Sequence, residues 1–292
     1  MSSFRLNTLV VVGVGLIGGS VALALKRAGA VARVIGVGRG NANIARAREL
    51  NVIDEVAADL SAAAEEADMV LIAVPVRQNA HILGQLRDAV QRGVVVTDAG
   101  STKQDFVAAA REMLGAGASG VVPGHPIAGA ELTGVEAASA ALFEGRRVVL
   151  TPLPESRAAA VDMVESMWRS CGAQVTRMTA ERHDAVFSAV SHLPHVLAFT
   201  LVEMIASRTD AEELFSFAAS GFRDFTRIAG SSAEMWRDIC MANADALVAD
   251  IEAFRKSLAE VTAQLHAGDG QALQRMFESA RAAREAWLRK TP

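Results

Sequence analysis

Two polar stretches of this 292-residue chain carry side chains that could move a proton. Ser101 lies in the stretch DAGSTK, which begins at Asp98, and His125 stands between Gly124 and Pro126. A histidine held by a stiff, turn-forming backbone suits a positioned general acid or base. Each stretch follows an apolar run, so we expect Ser101 close enough to hydrogen-bond His125 and set its tautomer. A histidine that only completes a loop is the alternative.

A second group of polar residues has the spacing of one helix face. Ser188, His192 and His195 stand four and three residues apart, beside Pro194. Two histidines and a serine on one face are an expensive way to build an apolar core, so we expect this face to reach a site. Zinc is the rival interpretation, but no further ligands follow at the usual spacing, so no metal is predicted.

An arginine further along the chain is placed to bind an anion. Arg227 closes the stretch SGFRDFTR and precedes small and apolar residues, so we expect it to be partly buried. A buried guanidinium needs an anionic partner, and a substrate carboxylate would serve. An internal carboxylate, Glu131 or Asp224, is the alternative partner.

A glycine-rich turn near the start of the chain predicts the element that holds a cofactor. Gly13, Gly15 and Gly18 have G-x-G-x-x-G spacing between a valine-rich run and a helical run rich in Ala and Leu. In that setting the three glycines permit a tight turn, the approach of a pyrophosphate, and close helix–strand packing. The N–H groups at the helix start, around Leu16 and Ile17, then face the phosphates.

Two further loops, together with Ser101, are expected to complete the cofactor site. Val74 and Pro75 end an apolar run, and the loop after it lies at the carboxyl edge of the predicted sheet, where α/β sheets bind ligands. NAD-binding chains carry an acid for the ribose about 20 residues past the glycine turn, and Gly38 and Arg39 stand there instead. Arg39 could pair with a 2′-phosphate, so we favour NADP over NAD. Alternatively, Arg39 is a solvated charge beside an adenine that accepts either cofactor.

The alternation of apolar runs with helical stretches predicts an α/β fold. The helical character becomes continuous after about residue 180. We therefore predict an N-terminal Rossmann-type, doubly wound, mostly parallel sheet in a dinucleotide-binding domain, residues 1–178, followed by an all-α substrate and dimerisation domain, residues 179–292. The strands predicted after the first cover 32–37, 68–75, 93–97, 120–123, 147–151 and 173–178.

A heptad-like seam in the predicted helical domain indicates a subunit interface. A core face of a helix bundle explains the same spacing, but for so small a helical domain we favour contact between the subunits of a homodimer. The seam residues are Leu247, Ile251, Phe254, Leu258, Val261 and Leu265.

Composition limits the partners and the compartment. The net charge of −4 and the lack of a basic run argue against nucleic acid. Cys171 and Cys240 lie far apart with no C-x-x-C spacing, and no signal peptide is expected, so a cytoplasmic protein is predicted. Residues 8–25 carry no charge, but their glycines do not suit a membrane-spanning helix, so no membrane is predicted.

Five motifs carry a resemblance to a known family. In chain order, GVGLIGGS, DAGSTK, GHPIAGAE, SHLPH and GFRDFTRIA resemble the prephenate/arogenate (cyclohexadienyl) dehydrogenases of tyrosine biosynthesis, over nearly the whole chain. The resemblance implies NAD(P)-dependent oxidative decarboxylation of prephenate or arogenate: a hydride leaves C4 of the ring, carbon dioxide leaves C1, and the ring becomes aromatic. It also implies a nucleotide-binding domain and a helical dimerisation domain, with the site in the cleft between them.

The same resemblance implies roles for the polar residues. His125 would accept the proton of the ring 4-hydroxyl, and Ser101 would orient it. Arg227 would bind a substrate carboxylate, and His195 would contact the substrate. The remaining implied substrate-site residues are the supporting His192, Asp224 and Glu131, and Trp236, which would help close the pocket.

Two other functions share parts of this pattern. A β-hydroxyacid dehydrogenase has a similar glycine turn and two-domain plan, but it would be expected to use a catalytic lysine from the helical side. Lys256 lies within the heptad-like helix and is a poor candidate. A non-catalytic NADP-sensing protein would keep the fold but would not need His125, His195 and Arg227 together.

Overall fold

The computed structural model describes residues 4–38, 40–129 and 134–290. The chain divides into two compact units, one ending at Ala244 and one beginning at Asp245. The strands are β1 (Leu6–Val12), β2 (Val31–Val37), β3 (Glu55–Val56), β4 (Met69–Ile72), β5 (Val95–Asp98), β6 (Gly124–Pro126), β7 (Arg147–Leu150) and β8 (Gln174–Arg177).

Helices surround the strands and make up the rest of the fold. They are α1 (Leu16–Arg27), α2 (Asn41–Glu49), α3 (Leu60–Glu65), α4 (Asn79–Gln85), α5 (Arg87–Gln91), α6 (Gln104–Leu114), α7 (Ala158–Ser170), α8 (Ala180–Phe187), α9 (Leu193–Ala206), α10 (Ala211–Ser216), α11 (Ser220–Thr226), α12 (Ala233–Ala242), α13 (Ala244–Ala267) and α14 (Gly270–Leu288).

The main sheet is a parallel, Rossmann-type sheet, as predicted. Its five strands lie in the order β3-β2-β1-β4-β5, and every neighbouring pair is parallel. The central strand β1 is apolar on both faces because helices cover both: Leu9 and Val11 belong to one core cluster, Val10 and Val12 to the other. The reversal of strand order beside β1 puts the loops after β1 and β4 at the edge where such sheets bind ligands.

A second sheet begins where a strand was expected to extend the first. The strand predicted over 120–123 is wrong: Val121 makes only an isolated parallel bridge with Val96. Pro123 lacks the N–H that would continue the pairing. The chain instead forms β6, which is antiparallel to β7, and β7 pairs in parallel with β8. His125 therefore lies at the junction between the two sheets.

One continuous helical stretch, residues 180–206, brings polar groups onto the sheet. Between α8 and α9 it passes through a π-helical segment, residues 188–192. Pro194 follows that segment. The widened turn accommodates the proline ring, which has no backbone N–H to donate to the preceding turn. By length and composition alone this stretch could cross a membrane. Its first turns, however, carry the buried His183 and Asp184, which contact the sheet side of the site.

Candidate active site

The glycine turn between β1 and α1 has the predicted geometry. Gly13 has φ +93°, and a Cβ there would lie 2.4 Å from the carbonyl oxygen of Ala73. A Cβ on Gly18 would lie 2.3 Å from the carbonyl oxygen of Gly13, so the close contact of helix and turn requires glycine. At Gly15 a Cβ would meet no protein atom within 4 Å. The open space therefore lies at the position where a pyrophosphate would approach.

The start of α1 fits an anionic cofactor. Gly15 is the N-cap and offers no side-chain hydrogen bond, so the N–H groups of the first turn, which includes Leu16 and Ile17, have no side-chain cap. Val74, in the loop after β4, lies against this turn: its Cγ1 would be 2.9 Å from a Cβ on Gly13. These features form a cradle for the diphosphate of a dinucleotide.

The remaining predicted cofactor residues flank this cradle in sequence. Pro75 follows Val74 in the loop after β4 and is exposed. Gly38 follows β2, and a Cβ there would meet only Ile44 Cδ1, at 3.5 Å. Arg39 lies outside the described residues, and its pairing with a 2′-phosphate stays a prediction.

A buried ion pair fixes the two loops that carry the predicted acid/base residues. Asp98, at the end of β5, pairs with Lys103, and the two side chains are 1% and 0% exposed. Asp98 also accepts hydrogen bonds from the backbone N–H of Gly124 at 3.0 Å and of Gly100 at 2.8 Å. A Cβ on Gly124 would lie 3.1 Å from the Asp98 carbonyl oxygen, so glycine permits this close approach. Asp98 thus anchors the backbone immediately before His125.

A chain of three side chains runs from His125 into the helical stretch. His125 Nδ1 is 2.8 Å from His183 Nε2, and His183 Nδ1 is 2.7 Å from Asp184 Oδ1. His183 and Asp184 are fully buried, whereas His125 is half-buried. Phe187 packs against both imidazoles, with ring centroids 4.8 Å from His125 and 4.5 Å from His183. The arrangement leaves one nitrogen of His125, Nε2, for another partner.

The partner of His125 differs from the one predicted. Ser101 was expected to hydrogen-bond His125 and set its tautomer, but within the described residues His183 is the hydrogen-bond partner of His125 Nδ1 and no hydrogen bond joins Ser101 to His125. The reason is topological, because α8 packs its His183 side chain between the β6 strand and the start of α6. Ser101 lies two residues before Lys103 in the loop after β5, half-buried.

Burial and hydrogen bonding set the charge states of His125 and Asp184. The pKa of His125 is well below its usual value because the ring is desolvated, and the nearby His183 and Lys103 add to the effect. Burial raises the pKa of Asp184, but hydrogen bonds from His183, Gln104 and Lys103 outweigh it, and the net pKa is lowered. At neutral pH the site thus combines a neutral His125 with an ionised Asp184, which suits a general base.

His192 supports the site from within the core. It is 1% exposed, and its Nδ1 accepts a hydrogen bond of 3.1 Å from Asn243 Nδ2. The same amide donates to the backbone carbonyl of Asp184 at 2.9 Å. Burial lowers the pKa of His192 to about 4. His192 is therefore a neutral structural group, and its supporting role at a substrate site stays a prediction.

His195 and Trp236 form a stacked pair. Their ring centroids are 3.5 Å apart with an interplanar angle of 21°, and His195 Nδ1 donates to the Ser191 carbonyl at 2.8 Å. Burial lowers the pKa of His195, and the charge of Arg227 lowers it further. Trp236 Nε1 is buried without a hydrogen-bond partner among the described residues. Trp236 is buried and His195 is half-buried, so the His195 ring is the more accessible member of the pair.

Arg227 is exposed, so the prediction that it is partly buried is wrong. It lies in a short 3-10 turn that packs against α9. Asp224, in α11, is also exposed, and Glu131 lies outside the described residues. Within the described ranges, no three His, Cys, Asp or Glu side chains come together as a metal site requires.

Sequence reasoning missed three of the residues that build the site: His183, Asp184 and Asn243. One signal was available. Asp184 stands four residues before Ser188 and eight before His192, so it continues the polar face of the SHLPH stretch toward the start of the helix. Asn243 follows α12 and gives no such pattern, because its role depends on tertiary contacts alone.

The amino-acid sequence matches two family models and several known proteins. The family model described as "Prephenate dehydrogenase, nucleotide-binding domain" matches residues 21–177, and "Prephenate dehydrogenase, dimerization domain" matches residues 179–279. The chain is 36% identical to the prephenate dehydrogenase of Bacillus subtilis over 94% of this chain and 74% of that one. It is 34% identical to the cyclohexadienyl dehydrogenase of Zymomonas mobilis over 95% of each.

A solved structure is similar over almost the whole length. The prephenate dehydrogenase of Aquifex aeolicus, determined in complex with hydroxyphenyl propionate and NAD+, superposes with a TM-score of 0.91 at 35% sequence identity. The match covers 98% of this chain and 99% of that chain.

Proposed function

Because this chain belongs to the prephenate dehydrogenase family, we propose that it catalyses the NAD(P)-dependent oxidative decarboxylation of prephenate, arogenate or both. The observation that supports this most is the half-buried, neutral His125, fixed through Nδ1 and presented beside the carboxyl edge of the dinucleotide-binding sheet. The products are 4-hydroxyphenylpyruvate from prephenate and tyrosine from arogenate.

The chemistry needs one base and precise placement of the ring. Nicotinamide, when bound, accepts the hydride that leaves C4. His125 Nε2 takes the proton of the 4-hydroxyl as that C–H bond breaks, and carbon dioxide then leaves C1 with formation of the aromatic ring. The proton returns to the phenolate oxygen, so only hydride and carbon dioxide leave the substrate. Aromatisation supplies much of the driving force, and the protein supplies positioning and the proton transfer.

Substrate anchoring is assigned to the helical side. Arg227 binds a carboxylate of the substrate, and the stacked His195 and Trp236 contact it. His192 supports this surface from the core, and Asp224 and Glu131 are assigned a similar supporting part. Prephenate carries a side-chain ketone where arogenate carries an ammonium group. The proposal includes both as substrates.

The cofactor is a nicotinamide dinucleotide, and we propose that NADP is preferred. The support is the pair Gly38 and Arg39 after β2, where an acid would favour the free ribose hydroxyls of NAD. The preference is the finer part of the proposal, and Arg39→Ala isolates it: the variant should lose affinity for NADP and keep its affinity for NAD.

The proposal includes the organisation of the protein. We assign residues 1–178 to cofactor binding and residues 179–292 to substrate binding and to a homodimer, with small molecules rather than nucleic acid or a membrane as partners. Cytoplasmic location is also proposed: Cys171 and Cys240 are free thiols, and burial raises the pKa of Cys171 to about 12.

A steady-state assay against a two-by-two grid tests the function. Prephenate and arogenate are each offered with NAD and NADP, and reduced cofactor is followed by absorbance. We expect turnover with at least one substrate and a higher kcat/KM with NADP. Cofactor binding without turnover in all four combinations would favour the sensing function, and turnover only of a β-hydroxyacid would favour that class.

A further inference from the structure

We propose that His183 and Asp184 are positioning residues for His125: together they fix its neutral ring as the Nδ1–H tautomer and so present Nε2 as the base. The assignment of a base to His125 rests on the proposed function. The tautomer itself does not, because it follows from donors and acceptors within the protein.

In the hydrogen-bonded series His125–His183–Asp184, the proton positions follow from the Asp184 carboxylate. Asp184 is ionised and can only accept hydrogen bonds. Its Oδ1 is 2.7 Å from His183 Nδ1, so that nitrogen must carry a proton. Neutral His183 then has an unprotonated Nε2, which accepts the 2.8 Å hydrogen bond from His125 Nδ1–H. Since His125 is neutral as well, its Nε2 holds the lone pair.

The carboxylate that starts this chain is itself held rigidly. Asp184 Oδ1 accepts from the backbone N–H of Lys103 at 2.9 Å, and Oδ2 accepts from that of Gln104 at 2.8 Å. These N–H groups open α6, so the carboxylate lies at the positive end of the helix dipole. A carboxylate fixed by two backbone donors cannot rotate away from His183, and the orientation passes to His125.

The hydrogen-bonded series His125–His183–Asp184, here called the relay, also stabilises the protonated form of His125. When Nε2 of His125 accepts the substrate proton, the O–H bond of the substrate breaks and an imidazolium forms. Its Nδ1–H then points at a lone pair of His183, whose own N–H points at the Asp184 carboxylate. The positive charge is thus stabilised by a fixed anion two hydrogen bonds away, without movement of water into the site.

Other charged and titratable groups face His125 and shape its titration. They come from three elements: Lys103 before α6, His183 and Asp184 on α8, and His192 in the π-helical segment. Lys103 disfavours a positive imidazole, although its pairing with Asp98 reduces this effect. The Asp184 carboxylate is the one negative group of this set in hydrogen-bond connection with His125.

Histidine 15N NMR on the intact, substrate-free protein tests the proposal directly. The signals of His125 and His183 are assigned by their loss in His125→Asn and His183→Phe. At neutral pH we expect both rings to show the Nδ1–H tautomer, in contrast to the Nε2–H form that free neutral imidazole side chains favour. A wild-type His125 in the Nε2–H form would overturn the proposal, whether or not any variant folds.

Kinetics of His183→Phe separate positioning from packing. The Phe ring keeps the contact with Phe187 but removes the acceptor for His125 Nδ1–H. We expect kcat to fall about 10²-fold or more, within the range of a lost general base, while substrate KM and cofactor Kd change less than threefold. His81→Phe, at an exposed position of α4, is the matched control and should keep wild-type kcat. Retained kcat in His183→Phe, or an unchanged His125 tautomer, would contradict the relay.

The two proposals fail in different ways. If the wild-type protein turns over none of the four substrate and cofactor pairs but shows the Nδ1–H tautomer, the function fails and the relay stands. If turnover is present but His125 is in the Nε2–H form, the function stands and the relay fails.

Discussion

Burial governs the protonation of the histidines at the site. The pKa values of His125, His183, His192 and His195 are all lowered, with desolvation as the largest cause in each case. His125 and His195 are both half-buried with a hydrogen-bonded Nδ1, but of these four histidines His125 is the one whose Nδ1 is joined through a second histidine to an ionised carboxylate, which favours it as the base. His183 and His192 are buried and hold the surface around it.

The pH dependence of the free energy of unfolding tests whether His192 is buried as a neutral ring. Its folded-state pKa, about 4, lies below the value of about 6.5 in the unfolded chain, so the unfolded state binds more protons between these values. The stabilisation from the neutral ring is fully present above pH 6.5 and is lost as pH falls toward 4. One such proton changes the free energy of unfolding by about 1.4 kcal/mol per pH unit.

We therefore expect His192→Gln to flatten the pH dependence of unfolding between pH 6.5 and 4 by up to this slope. Chemical denaturation at fixed protein concentration measures it. His266→Gln is the control, because His266 is exposed. Identical slopes for wild type and His192→Gln would show that His192 is not buried as a neutral ring.

In the turn between β1 and α1, one glycine is required by the fold and another is required by the ligand. Gly18 is needed by the protein itself, since a Cβ would contact backbone at 2.3 Å. Gly15 is not, because a Cβ there would meet no protein atom. The space beside Gly15 is thus left for a ligand.

This difference predicts opposite phenotypes for two matched substitutions. Gly18→Ala should lower the free energy of unfolding by about 1–3 kcal/mol through overpacking. Gly15→Ala should leave the thermal midpoint close to wild type but raise the cofactor Kd about tenfold or more, which is ~1.4 kcal/mol. Calorimetry and fluorescence titration with reduced cofactor measure the two effects. Tight cofactor binding by a stable Gly15→Ala protein would show that the pyrophosphate does not bind at this turn.

Local patterns predicted the elements well and the contacts between them poorly. The valine-rich runs and the glycine spacing predicted β1, α1 and the parallel sheet, because these depend on periodicity and turn chemistry close in sequence. Pro123 marked the end of pairing with β5, but the switch of β6 to a second sheet depends on β7, which lies more than 20 residues later. The His125–His183 contact joins residues 58 positions apart, and no local pattern reports it.

Several helices of the single chain expose large apolar side chains. In α13, Leu247 is buried, whereas Leu258 and Leu265 are 50% and 62% exposed. Exposed apolar side chains in a row on one helix face commonly mark a surface that a partner covers. This supports the proposed homodimer.

A charge placed on the seam should therefore break the dimer. We expect the double variant Leu258→Asp and Leu265→Asp to sediment as a monomer at concentrations where the wild type is dimeric. Ala263→Asp introduces a carboxylate on the opposite side of the same helix and should leave the dimer intact. A dimeric seam variant, measured by analytical ultracentrifugation, would place the subunit contact elsewhere.

A comparison of wild type and His125→Asn on prephenate with saturating cofactor tests whether His125 is the base of an oxidative decarboxylation. Reduced nicotinamide and carbon dioxide are quantified together, and cofactor Kd is measured separately. We predict equal amounts of the two products from wild type, and a kcat about 10²–10⁴-fold lower in His125→Asn with nearly unchanged cofactor affinity. His81→Asn serves as the exposed control. Wild-type turnover in His125→Asn, or reduced cofactor formed without carbon dioxide, would contradict the assignment of base and reaction.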